Sequence, residues 1–153
     1  GYELKSELIS YLQSLGHEVS DFGAKTFDAN DDYPDYIAPL AREISSKPDE
    51  LKGIVIGGSG QGEAIVANRF PNVRAVVYYG DAKRSDLSSD SGSQLEMIEF
   101  TREHNNANVL SIGARFLSLE DAKLAVKQWL ETPFSGEERH VRRIGKIDGL
   151  STR

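Results

Sequence analysis

Leu4, Leu8, Ile9, Leu12 and Leu15 recur at three- and four-residue steps, which predicts an amphipathic helix from about Tyr2 to Leu15, stopped by Gly16. His17 to Asp21 then reads as a short strand. A polar loop, Gly23 to Asp32, leads through Tyr33-Pro34 into a helix near Asp35 to Ser46. Gly53 to Ile56 is an apolar run of strand length, followed by a glycine-rich loop and a helix, Ala64 to Arg69. Val73 to Tyr79 is another strand, rich in β-branched and aromatic residues. Gly80 to Gln94, made of Asp, Ser, Lys and Gly, reads as an exposed loop. A helix near Leu95 to Asn105 and a strand Asn108 to Ile112 follow. A helix capped by Ser118 then runs to Glu131 and is broken by Thr132-Pro133, and Glu137 to Ile147 is the last.

Helix and strand alternate, so the pattern predicts an α/β fold with a mostly parallel sheet covered on both faces. Ligands of such sheets sit beyond the C-terminal ends of the strands. The loops after Ile56, Tyr79 and Ile112 should therefore share one rim, with Glu63, the Gly80 to Gln94 loop and Arg115 on it. At 153 residues and 16.9 kDa, one domain over the whole length is expected. The chain enters a helical pattern at Tyr2 without a leading strand or Met, which predicts that the sequence lacks its first few residues and a first strand.

Composition narrows the partners. A net charge of −6 and a pI near 5.1 argue against nucleic acid or an anionic membrane. An anionic ligand would have to be met locally, so clustered arginines matter. No apolar run has membrane-spanning length and no signal peptide is visible. With no cysteine there is no disulfide, no thiolate nucleophile and no Cys-ligated metal, and a cytoplasmic location fits.

The richest chemistry lies in Gly57-Gly-Ser-Gly-Gln-Gly-Glu63. Its glycines let the backbone turn sharply and aim N–H groups inward. The spacing Gly57-x-x-x-x-Gly62 starts like a nucleoside-triphosphate loop, but Glu63 and Ala64 stand where Lys and Ser/Thr belong, and a carboxylate there would repel phosphate. The dinucleotide pattern fails because Glu63 occupies its third glycine position. A cradle of N–H donors beside a carboxylate suits proton abstraction from carbon next to a carbonyl, the donors holding the enediolate oxygen. A tight turn with a surface Glu63 is the plainer alternative. His104 could be a general acid/base or simply a His favoured at a helix C-terminus. Arg115 lies on the ligand rim. Arg139 and Arg143 share a helix face around His140, as a phosphate clamp or as a solvated basic helix end. Asp28, Asp31 and Asp32 lack the spacing of a calcium loop, His17 reads as a surface residue and Trp129 as packing.

The strings GYELK, DDYPDY, GIVIGGSGQGEAIVANR, REHNNANVLSIGAR and TPFSGEERHVRRI resemble, in order, the ribose-5-phosphate isomerase B family, with its galactose- and allose-6-phosphate relatives. The resemblance covers nearly all of the chain except Gly80 to Gln94. It implies a Rossmann-like α/β/α sandwich and a homodimer, sometimes a tetramer, with the site at the subunit interface. It also implies aldose–ketose isomerisation of a sugar phosphate without metal or organic cofactor. One branch of the family has a cysteine base at the position of Gly57; this chain resembles the branch whose base is the glutamate at Glu63. By resemblance Gly58, Gly60 and Gly62 bind the enediolate, Ser59 handles substrate, and Tyr33 lines the pocket. His104 assists ring opening and Asn105 holds a substrate hydroxyl. Arg115, Arg139, His140 and Arg143 grip the phosphate, the last three from the partner subunit. An Asp-His pair that the family carries just before the stretch matching Gly1 has no counterpart in the sequence. The Gly80 to Gln94 segment is longer than the family's by roughly a dozen residues, past common loop lengths, and reads as a disordered surface insertion, a lid over the site or an extension of the dimer contact. The resemblance leaves open a four- or six-carbon substrate, or a non-catalytic sugar-phosphate-binding homologue.

Overall fold

The computed structural model describes residues 1–28, 30–80 and 96–152. Three strands, β1 (Gly53–Gly57), β2 (Ala75–Tyr78) and β3 (Val109–Gly113), form an all-parallel sheet in the order β1-β3-β2. Helices α1 (Tyr2–Ser14), α2 (Tyr33–Ser46), α3 (Gln61–Ala67), α4 (Met97–Glu103), α5 (Leu119–Glu131) and α6 (Glu138–Asp148) surround it, with a closing 3-10 turn at Gly149–Thr152. No helix among the described residues is long and apolar enough to cross a membrane.

Side chains alternate along a strand, so each strand feeds two cores. Leu110 and Ile112 of β3 point to one face and pack with Leu8 and Leu12 of α1, Ile98 of α4 and Ala125, Val126 and Trp129 of α5. Val109 and Val55 point to the other and pack with Ile37, Ala41 and Ile44 of α2 and Ala67 of α3. This is the three-layer α/β/α arrangement expected. All five residues of β3 are buried, which explains its nearly unbroken apolar run.

Boundaries shift for local reasons. Gly60, at φ 73°, forms the N-cap of α3, so the helix begins at Gln61 and Glu63 is its third residue rather than the residue ahead of it. Ser118 caps α5 as expected, its Oγ accepting the Asp121 N–H at 3.1 Å. His17 to Asp21 does not form the expected strand. Among the described residues no neighbouring backbone ladders with it, and Asp21 is instead tied to Lys5 of α1 at 3.0 Å and to the Gly23 N–H at 2.9 Å. The Gly80 to Gln94 loop, from residue 81 on, lies outside the described residues, as does Leu95.

Candidate functional site

The C-terminal ends of β1 and β3 lie side by side, Gly57 opposite Gly113. Pairing continues past the strands: the Ala114 N–H donates to the Gly57 carbonyl at 2.8 Å and the Arg115 N–H to that of Gly58 at 3.2 Å. Buried Ser111 donates its hydroxyl to the Gly60 carbonyl at 2.6 Å. In a trans peptide the N–H points opposite to the C=O. Carbonyls fixed toward β3 therefore turn the next amides away from it. Among the described residues, the N–H groups of Gly58, Ser59, Gly60, Gly62 and Glu63 meet no acceptor, while that of Gln61 is taken by Ser59 Oγ at 3.3 Å. These are donors held in place and left open.

Glu63 is 8% exposed, so it is not a surface acid. Its carboxylate lies directly on Gly57, where any Cβ would run into it. Gly57 thus serves close approach rather than unusual backbone geometry. The Tyr33 hydroxyl sits against Gly62, and the Arg115 guanidinium lies over Gly58, its Nε 3.1 Å from where a Cβ would be. A groove of ≈ 790 Å³ runs beside β1 between α1 and α2, and Gly57, Gly58, Glu63 and Tyr33 line one end of it. Glu63, Ser59, Gly58, Gly60, Gly62, Tyr33 and Arg115 are therefore gathered at one rim. A buried carboxylate beside unpaired amide donors can move a proton on carbon while the donors hold the oxyanion that forms.

His104, Asn105, Arg139, His140 and Arg143 lie elsewhere. His104 ends α4, just before β3 begins, and so stands at the N-terminal end of the sheet. At about 3.3 Å per residue, β3 alone separates the two ends by about 13 Å. The His104 ring stacks on His140 of α6, centroids 4.3 Å apart and planes at 15°, with Phe100 edge-on at 4.9 Å. Burial, the neighbouring His104 and the Arg139 and Arg143 cations hold the His140 imidazole below its ordinary value, against the pull of Glu137. Among the described residues His140 Nε2 is buried without a hydrogen-bond partner. Arg139 Nε donates to Glu137 at 2.8 Å. In one chain, then, the sequence-derived residues form two groups at opposite ends of the sheet. Among the described residues no three His, Asp or Glu side chains converge as a metal would need.

Three supports were not foreseen. Ser111 fixes the Gly60 carbonyl, and its signal is a lone hydroxyl inside an apolar central strand. Gln61 Nε2 donates to the Tyr79 hydroxyl at 2.5 Å, tying the glycine loop to the end of β2. Asn106, at φ 44°, is held between two cations: Arg74 Nε donates to its carbonyl at 3.1 Å and Arg102 Nη1 to its side chain at 2.9 Å. Burial lowers the Arg102 guanidinium, as does Arg74. This pair fixes the turn that carries His104 and Asn105.

Fold and site together define an α/β protein with a buried carboxylate and unpaired loop amides on the C-terminal rim of a parallel sheet. Residues 1–147 match the family described as Ribose/Galactose Isomerase, and the chain belongs to that family. It is 38% identical over 144 residues to ribose-5-phosphate isomerase B of Mycolicibacterium paratuberculosis, covering 94% of this chain and 81% of that protein. It is 35% identical over 153 residues to the Escherichia coli protein of the same name, covering 100% and 91%. The crystal structure of ribose-5-phosphate isomerase B from Mycoplasma genitalium with bound ribulose-5-phosphate superposes with TM-score 0.83 at 32% identity, over 99% of this chain and 90% of that one.

Proposed function

We propose that the chain is an aldose–ketose isomerase that interconverts ribose 5-phosphate and ribulose 5-phosphate, with Glu63 as the base and no metal or organic cofactor. The observation that carries this is the Glu63 carboxylate, buried on Gly57 beside unpaired loop amides. The relatives supply the substrate: several are named for this reaction, and one was crystallised with ribulose-5-phosphate. The carboxylate fills the space that any side chain at position 57 would need, which supports the glutamate branch of the family over the cysteine one.

In the reaction, His104 shuttles the anomeric hydroxyl proton to the ring oxygen and opens the sugar. Ionised Glu63 takes the proton from C2, and electrons flow onto the C1 carbonyl oxygen. The N–H groups of Gly58 to Gly62 hold this cis-enediolate, with Ser59 and Tyr33 alongside. Glu63 returns the proton to C1, the O2 proton passes to O1, and C2 becomes the ketone. Asn105 holds a sugar hydroxyl, and Arg115, Arg139, His140 and Arg143 hold the phosphate.

One chain cannot bring His104 and Glu63 to the same sugar, since they lie at opposite ends of the sheet. This separation supports a homodimer as the working unit, each rim completed by the partner's helix-end group. Phosphorylated sugars are dianions that do not cross membranes, so the reaction belongs in the cytoplasm.

The test is isomerisation of ribose 5-phosphate in deuterated water, with four- and six-carbon aldose phosphates in parallel. Deuterium should enter at the carbon next to the carbonyl, and Glu63→Gln should lower turnover by about 10²–10⁴-fold without loss of fold. A folded Glu63→Gln enzyme within tenfold of the parent would remove Glu63 from the base's role. Binding without deuterium incorporation would leave a non-catalytic sugar-phosphate protein.

A further inference from the structure

At the helix-end group, a single oxygen serves two neighbours. Glu137 Oε2 accepts from Arg139 Nε at 2.8 Å and stands 3.8 Å from His140 Nε2, beyond hydrogen-bond reach. That Nε2 is the atom left buried and unpartnered. The charged and titratable groups facing His140 are His104 from α4, Glu137 from the turn before α6, and Arg139 and Arg143 from α6 itself. Two imidazolium rings stacked at 4.3 Å would repel strongly, so the pair accommodates one proton far more easily than two.

We propose that Glu137 is a positioning residue that couples phosphate capture to the protonation of His140 and thereby keeps His104 neutral for ring opening. The inference rests on the phosphate-binding role given above to Arg139. When the phosphate dianion draws Arg139 away, the carboxylate of Glu137 loses its partner beside an orphaned imidazole nitrogen. A proton from solvent then binds His140 Nε2, and the new N–H donates to Glu137 Oε2 over a gap that one side-chain adjustment closes. The positive charge on His140 opposes protonation of the stacked His104, which stays free to accept the anomeric proton. When the product phosphate leaves, Arg139 returns to Glu137 and His140 gives its proton back to solvent. Atoms and charge balance: one proton enters with the dianion and leaves with it.

The experiment reads the imidazole nitrogens directly, because the phosphate itself titrates near neutrality and would confuse a proton count. The intact protein, labelled with nitrogen-15 in its histidines, is examined by NMR at pH 7.5, alone and with saturating ribose 5-phosphate held at its isomerisation equilibrium. Both rings should be neutral without sugar phosphate. With it, His140 should show the imidazolium signature while His104 remains neutral. In Glu137→Gln, His140 should stay neutral with sugar phosphate bound, and the acidic limb of the kcat–pH profile should move to higher pH. A purely structural Glu137 would leave both readouts unmoved. The proposal is overturned if sugar phosphate is bound and turned over while His140 stays neutral. It is equally overturned if the proton goes to His104, or if Glu137→Gln behaves like the parent. Absence of both ligand-induced shifts and isomerisation would instead overturn the isomerase reading, and this proposal with it.

Discussion

The Glu63 carboxylate and Gly57 occupy one space, and this makes Gly57→Ala a sharp perturbation. The φ of Gly57 is not among the left-handed ones, so the backbone accepts Ala and the nearest obstacle is the acid. The new Cβ would fall inside van der Waals contact with both carboxylate oxygens. To restore ordinary contact the carboxylate must retreat by more than about 1 Å, and a misplacement of that size can cost about 10²-fold in rate. Overpacking should cost about 1–3 kcal/mol of stability. The assay is steady-state isomerisation with a thermal melt of the same sample: kcat should fall about 100-fold and KM little, because the side chains proposed to hold the phosphate are left unchanged. A second variant separates displacement from misfolding. Gly57→Cys combined with Glu63→Ala removes the clash and sets a thiol where the carboxylate was. It should exceed Glu63→Ala alone in turnover, most at pH above about 8, where more of a cysteine is thiolate. A folded Gly57→Ala enzyme retaining kcat within about twofold would refute the reasoning, since a carboxylate able to retreat freely cannot be the positioned base.

Mixing inactive Glu63→Gln and His104→Ala proteins under subunit exchange should restore activity toward about a quarter of wild type, because half of the dimers then carry one intact rim. No recovery would put both groups in one subunit. Ser111→Ala removes one of the two donors to the Gly60 carbonyl, leaving the Ala64 N–H at 3.1 Å, and should cost about 0.5–1.5 kcal/mol in denaturant unfolding, with a larger loss in kcat than in KM. Unchanged turnover would mean the loop holds its shape without that bond. Burial opposes ionisation of Asp21, but hydrogen bonds from Lys5, the Gly23 N–H and Lys25 outweigh it and hold the carboxyl below its ordinary range. Its folded pKa is depressed, so its stabilisation is present above the unfolded value and is lost as pH falls through the folded one. Asp21→Asn should therefore lower Tm at pH 7 and converge with wild type as pH falls through the folded value of Asp21; equal Tm at both ends would exclude the linkage.

The layer order and strand periods were legible because they rest on local alternation: Val109-Leu110-Ser111-Ile112 assigns its own two faces. Glu63 was legible as a candidate from its place after the glycines, but its burial on Gly57 was not, because that depends on where α3 begins. Gly60 in a left-handed conformation sets that start, and its carbonyl is pinned by Ser111, more than fifty residues later. His17 to Asp21 misled for the opposite reason. Its composition suits a strand, yet a strand exists only where another backbone pairs with it. The separation of His104 from Glu63 follows from topology, since the residue before a strand and the loop after it cannot meet. Motif order alone hides this.

Seven residues make fewer than two turns of helix, too few to persist in water without support. The bearing of Glu63 is therefore dictated by the sheet beneath it rather than by the segment it belongs to. Substitutions deep in that sheet, far from any sugar, should be felt first in turnover and only later in melting temperature. The protein's rate constant is in this sense a readout of how well its interior is built.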